Sequence, residues 1–205
     1  MGKELKAPVI YEIQYNHDTA SKLDSSINED ISDENNRRLL IDYPTVYIVN
    51  QKLTSGKPKY SVYVGETNDI QRRTLQHLDE DVRSRKDWKE LSDAKNSMMY
   101  VIGHEHFNKS LTLDIENRMM HYLSGVNVVE HLNNRRDNAQ NDYYTSNEMV
   151  PIFNKIWRKL HRYIPDLFPT QRLIEESALF KASPFHKLTK SQNQAKNEIL
   201  DIVDK

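Results

Sequence analysis

Thr45-Val46-Tyr47-Ile48-Val49, then Tyr60-Ser61-Val62-Tyr63-Val64-Gly65, then Asn68-Asp69-Ile70-Gln71-Arg72-Arg73-Thr74-Leu75-Gln76-His77 is the stretch on which the fold turns. The first two runs are rich in β-branched and aromatic residues, the signature of strands. Between them lies Gln51 to Lys59, polar and carrying Ser55-Gly56-Lys57-Pro58, so the pair reads as an antiparallel hairpin with a long loop. Asn68-Asp69 then offers a side-chain cap, and Ile70 to Leu78 continues as a helix. Tyr43-Pro44 breaks the chain just before the hairpin.

Working outward, Met98-Met99-Tyr100-Val101-Ile102 reads as a third strand. Ser110 to Leu123 reads as a helix, because Leu111, Ile115, Met119, Tyr122 and Leu123 recur at helical spacing, and Gly125 is its stop. Val126 to Tyr144 is Asn-rich and reads as loop. Ile152, Phe153, Ile156, Trp157 and Leu160 put an apolar stripe on a helix over Val150 to Ile164. Thr170 to Phe180 and Thr189 to Val203 read as further helices. Upstream, Val9 to Ile13 reads as a short strand, and Asn16 to Asn36 as a polar loop or loose helix that ends near Leu39-Leu40-Ile41. The expected class is α+β: a small three-stranded antiparallel sheet flanked by helices, with a helical C-terminal extension.

Composition narrows the function. The chain has 205 residues, 37% hydrophobic and 29% charged, with a formal net charge of -1. No apolar run approaches the roughly 18 residues of a membrane span, and no apolar core of a signal peptide follows Met1, so a cytoplasmic protein is expected. Cysteine is absent, which removes disulfides, thiol catalysis and zinc knuckles. No phosphate-binding G-x-x-x-x-G-K-[ST] loop and no dinucleotide fingerprint occurs. The charge is uneven: residues 1–43 carry five basic and nine acidic residues, residues 151–205 ten basic and six acidic. Nucleic-acid binding would therefore rest on a local patch rather than on overall charge.

Several side chains in the quoted stretch carry chemistry. Tyr47 and Tyr63 sit on the two hairpin strands, and Gly65 closes the second where a backbone can approach a ligand. Arg73 and His77, four apart, share a helix face. Each alone has an ordinary reading, the tyrosines as packing and the Arg-His pair as a solvated face. Glu116 is different: on its helix it shares a face with Leu113, Met119, Met120 and Leu123. A carboxylate in an apolar stripe is costly unless it is ion-paired or holds a metal. Oxygen donors without cysteine point to Mg²⁺ or Mn²⁺. His104, His106, His121 and His131 lack a metal-ligand spacing and are expected to be structural.

The pattern resembles the GIY-YIG endonucleases. Thr45-Val46-Tyr47 stands where that family has its first motif, with Thr45 in place of Gly, and Tyr63-Val64-Gly65 where it has its second. Arg73 and His77 lie eight and twelve residues beyond Gly65, as in the family. Glu116 occupies the place of the metal-binding Glu, and Asn133 that of a late supporting Asn. The resemblance covers Pro44 to Asn133, nearly half the chain. It implies a nuclease core over 44–146, preceded by an extension over 1–43 and followed by a helical extension over 147–182. Phe107 to Glu116, Tyr143-Tyr144, Phe153 to Trp157 and Ser183 to Gln192 are similar to bacterial proteins that fuse such a nuclease to a Schlafen-related helicase. Residues 183–205 would then lead toward an ATPase domain.

What the resemblance implies is hydrolysis of DNA phosphodiester bonds, on duplex or branched substrates, with one Mg²⁺ or Mn²⁺ held by Glu116. Arg73 would stabilise the phosphoryl oxygens, and Tyr47 or His77 would act as base. Tyr63 would orient the water or phosphate, with Gly65, Thr67 and Asn133 in support. Arg72, Arg83, Arg85 and Lys86 are candidate DNA contacts, and Lys155, Arg158, Lys159 and Arg162 form a second basic cluster. The alternative expectation is a non-catalytic nucleic-acid-binding or regulatory module of a helicase-nuclease system.

Overall fold

The computed structural model describes residues 5–53, 56–132, 143 and 145–182. A five-stranded mixed sheet organises them: β1 (Val9–Gln14), β2 (Thr45–Lys52), β3 (Tyr60–Thr67), β4 (Ser97–Gly103) and β5 (Val129–Leu132), in the order β1-β4-β2-β3-β5. The three expected strands are its centre, paired antiparallel with Tyr47 opposite Gly65 on β3 and Val101 on β4. The expectation of a three-stranded antiparallel sheet is corrected at both edges. The strand read at Val9 pairs antiparallel with β4, and β5 runs parallel to β3 inside the segment read as loop. β5 escapes a pattern reading because it is four residues long and half exposed, with no apolar alternation.

Each face of the sheet is covered. On one face lie α1 (His17–Ser21), α2 (Leu23–Asp30), α3 (Glu34–Ile41), α4 (Ile70–Gln76), α5 (Val82–Ser84) and α6 (Lys86–Asp93). They bury Leu23, Ile27, Leu40, Ile70, Trp88 and Leu91 against Tyr47, Val49, Tyr63, Met99 and Val101 of the sheet. On the other face lie α7 (Lys109–Ser124), α8 (Met149–Tyr163), α9 (Gln171–Glu175) and α10 (Ala178–Ala182). Here Val46, Ile48, Val62, Val64 and Ile102 meet Ile115, Met119, Phe153, Ile156 and Trp157. The period-2 alternation of β2 and β3 thus feeds two separate cores.

Local chemistry sets the helix ends. The Asp69 side chain accepts from the backbone N–H of Arg72 at 2.9 Å and starts α4. The Asn108 side chain accepts from Leu111 N–H at 3.0 Å and starts α7. Buried Phe153 and Trp157 dock α8 on the sheet, and the Trp157 indole N–H donates to the Pro169 carbonyl at 2.7 Å. No helix among the described residues is long and apolar enough to cross a membrane. The helix expected at Thr189 to Val203 lies outside the described residues.

Candidate active site

Tyr47 and Tyr63 come together because of strand register. Tyr47 pairs with Gly65, so Tyr63 is its diagonal neighbour two residues along β3, within reach of an aromatic ring. The ring centroids are 5.9 Å apart. Gly65 makes the arrangement fit: a Cβ there would lie 2.6 Å from Cζ and from the hydroxyl of Tyr47 and 2.8 Å from the Tyr63 ring. The second motif needs its glycine as space for the first tyrosine.

α4 brings the next two residues. Ile70 and Thr74 are buried against the sheet, which fixes the rotation of the helix and sets Arg73 and His77 beside the tyrosines. His77 opens a wider, π-type turn over His77–Asp81. Such turns are frequent at functional sites. Nε2 of His77 lies 2.7 Å from the Tyr47 hydroxyl, and both side chains are fully buried. Arg73 is half-buried and donates to Gln76 Oε1 at 2.8 Å. Its cation acts on both tyrosines in the direction that favours ionisation. Burial outweighs it, so the Tyr47 phenol stays well above its ordinary value and Tyr63 is also raised.

Glu116 reaches the group from the opposite side of the sheet. It lies on the buried face of α7 and is the one buried carboxylate among the described residues. It is near enough to Tyr63 to oppose that phenol's ionisation. No cluster of three or more His, Cys, Asp or Glu able to share a metal occurs among the described residues. A single carboxylate still suits Mg²⁺ or Mn²⁺, since Mg²⁺ keeps several waters and takes further oxygens from a substrate phosphate. The residues present therefore fit a hard divalent ion held through Glu116.

Other expected residues take different places. Thr67 is buried, and its hydroxyl accepts from Asp69 N–H and donates to Asp69 O, each at 3.1 Å, so it shapes the entry to α4. Arg72 is exposed and pairs with Asp69 at 3.4 Å. Arg83 is exposed, and Lys86 is the first residue of α6. Arg85 joins the site, with its guanidinium 6.0 Å from the Tyr63 ring and 5.8 Å from the Trp88 ring. Asn133 lies outside the described residues. His104 and His106 lie together with ring centroids 5.3 Å apart, and His106 Nδ1 is 2.5 Å from Glu148 Oε2. His121 stacks on Phe180 at 4.4 Å.

Trp88 is the site residue that sequence reasoning missed. Its ring stacks on His77 at 3.7 Å and 19°, and contacts Tyr63 at 4.3 Å. The sequence signal was present in kind, since a tryptophan on a short polar helix needs a partner, but nothing local names His77. No protein-family model, curated protein or solved structure matches the chain.

Proposed function

We propose that this chain is a metal-dependent endonuclease of the GIY-YIG type, hydrolysing phosphodiester bonds in DNA. One observation carries the reading: Tyr47 of β2, Tyr63 of β3 and His77 after α4 meet in one buried cluster, with Arg73 beside both phenols and the Glu116 carboxylate of α7 acting on Tyr63. A packing role alone gives no reason for Glu116, the one buried carboxylate among the described residues, to act on Tyr63, a phenol that Arg73 also acts on.

The geometry suits a proton relay. A phenol held neutral by burial is a poor phenolate base but a good conduit. The attacking water gives its proton to the Tyr47 oxygen as the Tyr47 proton passes to Nε2 of His77, whose imidazole is the acceptor. Tyr63 orients the water. Arg73 donates to the non-bridging phosphoryl oxygens as negative charge builds on them. Trp88 holds the imidazole plane by stacking on it. A divalent ion at Glu116 supplies Lewis-acid stabilisation of the leaving oxygen when bound.

The test is cleavage of supercoiled plasmid and of a branched oligonucleotide in Mg²⁺, Mn²⁺ or EDTA, with Glu116→Ala beside the parent. Metal-dependent nicking that disappears in the variant is the expected outcome. Equal activity in both would remove the assigned role of Glu116. Salt-sensitive binding without any cutting would favour the binding-module alternative.

A further inference from the structure

α8 carries a second feature with no part in the cluster above. Lys155, Arg158, Lys159 and Arg162 follow the spacing i, i+3, i+4, i+7 and so share one face, opposite the face that buries Ile156 and Trp157. With Ala7 and Pro8 they line an open cavity of about 380 Å³. Lys155 donates to the Leu5 carbonyl, and Lys159 to the Pro8 carbonyl at 2.9 Å, so the segment ahead of β1 forms the second wall. Arg158 and Arg162 are exposed, and the Arg158 Nε–H donates only within α8, to Asn154 O at 3.2 Å.

Four cations on one helix face have no acid interleaved among them, unlike many cations elsewhere on the surface. Lys6, Lys22, Arg38, Lys59, Lys109 and Arg172 each pair with a carboxylate. Among the described residues, none of the four on α8 does. Burial, and then the Arg162 cation, pulls Lys159 below its usual value. The helix face therefore carries a positive field that an anion would relieve.

We infer that the α8 face and the segment at Ala7-Pro8 form a binding site for the phosphodiester backbone of a nucleic acid. The eight residues from Lys155 to Arg162 cover about 10 Å of helix at about 1.5 Å per step. That length is enough for the four cations to face more than one phosphate of a strand. An anionic membrane is a poorer fit. A helix lying on a bilayer presents a large apolar face outward, whereas the apolar face of α8 is buried in the core and only Ala7 and Pro8 are apolar in the cavity. The inference rests on the nucleic-acid reading above but not on cleavage, because the site lies on the α7–α8 side of the sheet.

The experiment is fluorescence anisotropy of the full chain on a 30-base-pair duplex in EDTA, where nothing is cut, across about 50–200 mM salt. An Arg158→Ala/Arg162→Ala double variant should bind more weakly and lose about 2 from the slope of log K against log salt. The corresponding Arg→Lys double variant should keep the parent slope. Arg172→Ala, whose arginine pairs with Glu176, should behave as the parent. An unchanged slope in the double alanine variant overturns the site, and if the parent cuts DNA the proposed activity still stands. Loss of binding to phosphatidylserine vesicles with DNA binding intact overturns it in favour of a membrane. A parent that neither binds nor cuts DNA removes both this site and the activity on which it rests.

Discussion

The two faces of the sheet are built from the same strands, and each buries an apolar core, but among the described residues only one sets a buried histidine among its tyrosines. Toward α7 and α8, β2 presents Val46 and Ile48, which meet hydrocarbon: Ile115, Met119, Phe153, Ile156 and Trp157. Toward α4 and α6 the intervening Tyr47 meets Tyr63 and His77, and Trp88 stacks on His77, so rings carrying protons sit within the apolar packing of that face. Glu116 belongs by sequence to the first side and acts electrostatically on the second. On the proposed function, stability and chemistry are separated by the thickness of one strand, and side chains one residue apart should fail in different ways.

Substitutions can break that separation or sharpen it. Trp157→Ala, on the hydrocarbon side, should cost about 3–5 kcal/mol of stability. Urea unfolding would report it, and a loss under about 1 kcal/mol would mean that this side is not the scaffold. Arg73→Ala should lower kcat by about 10²–10³, or about 2.7–4 kcal/mol of transition-state stabilisation, while the urea midpoint stays near the parent. A variant that instead unfolds would make Arg73 structural. Tyr47→Phe should stop turnover and cost about 1–3 kcal/mol of stability, because buried Nε2 of His77 loses its hydroxyl partner. Normal cutting by this variant would take Tyr47 out of the relay.

The smallest expected effect is a pH slope. Burial holds the Tyr47 phenol above its ordinary value, so as pH rises the unfolded chain loses that proton first. The contribution to stability is complete below about pH 10 and is lost as pH climbs from there toward the raised folded value. Urea midpoints for the parent should fall above about pH 10, and less steeply for Tyr47→Phe. Identical curves would mean that Tyr47 is not the phenol responsible.

What was legible in the sequence followed from strong local patterns. β2, β3, β4, α7 and α8 each carry an apolar repeat that packing then used, and the Asn68-Asp69 cap stands where α4 starts. The spacing from Gly65 to Arg73 and His77 translated directly into proximity, because one helix carries both residues beside the strand that precedes it. The illegible parts depend on partners far away in the chain. α1 to α3 hold few apolar anchors, chiefly Ala20, Leu23, Ile27 and Leu40, in a polar background. β5 is stabilised by pairing with β3 rather than by its own composition. Trp88 earns its place only when α6 folds over His77.

The pairing of β1 with β4 has a consequence in time. Val9 meets Gly103, so β1 has no sheet partner until β4 has left the ribosome. At about 5–20 residues per second the interval is on the order of 5–20 s. Both strands of the β2–β3 hairpin, joined by the seven residues 53–59, are synthesised well before then, and their register seats Tyr47 over Gly65. The tyrosine pair therefore has both its strands available before β4 emerges, whereas Val9–Gln14 waits without its partner and presents an unpaired edge.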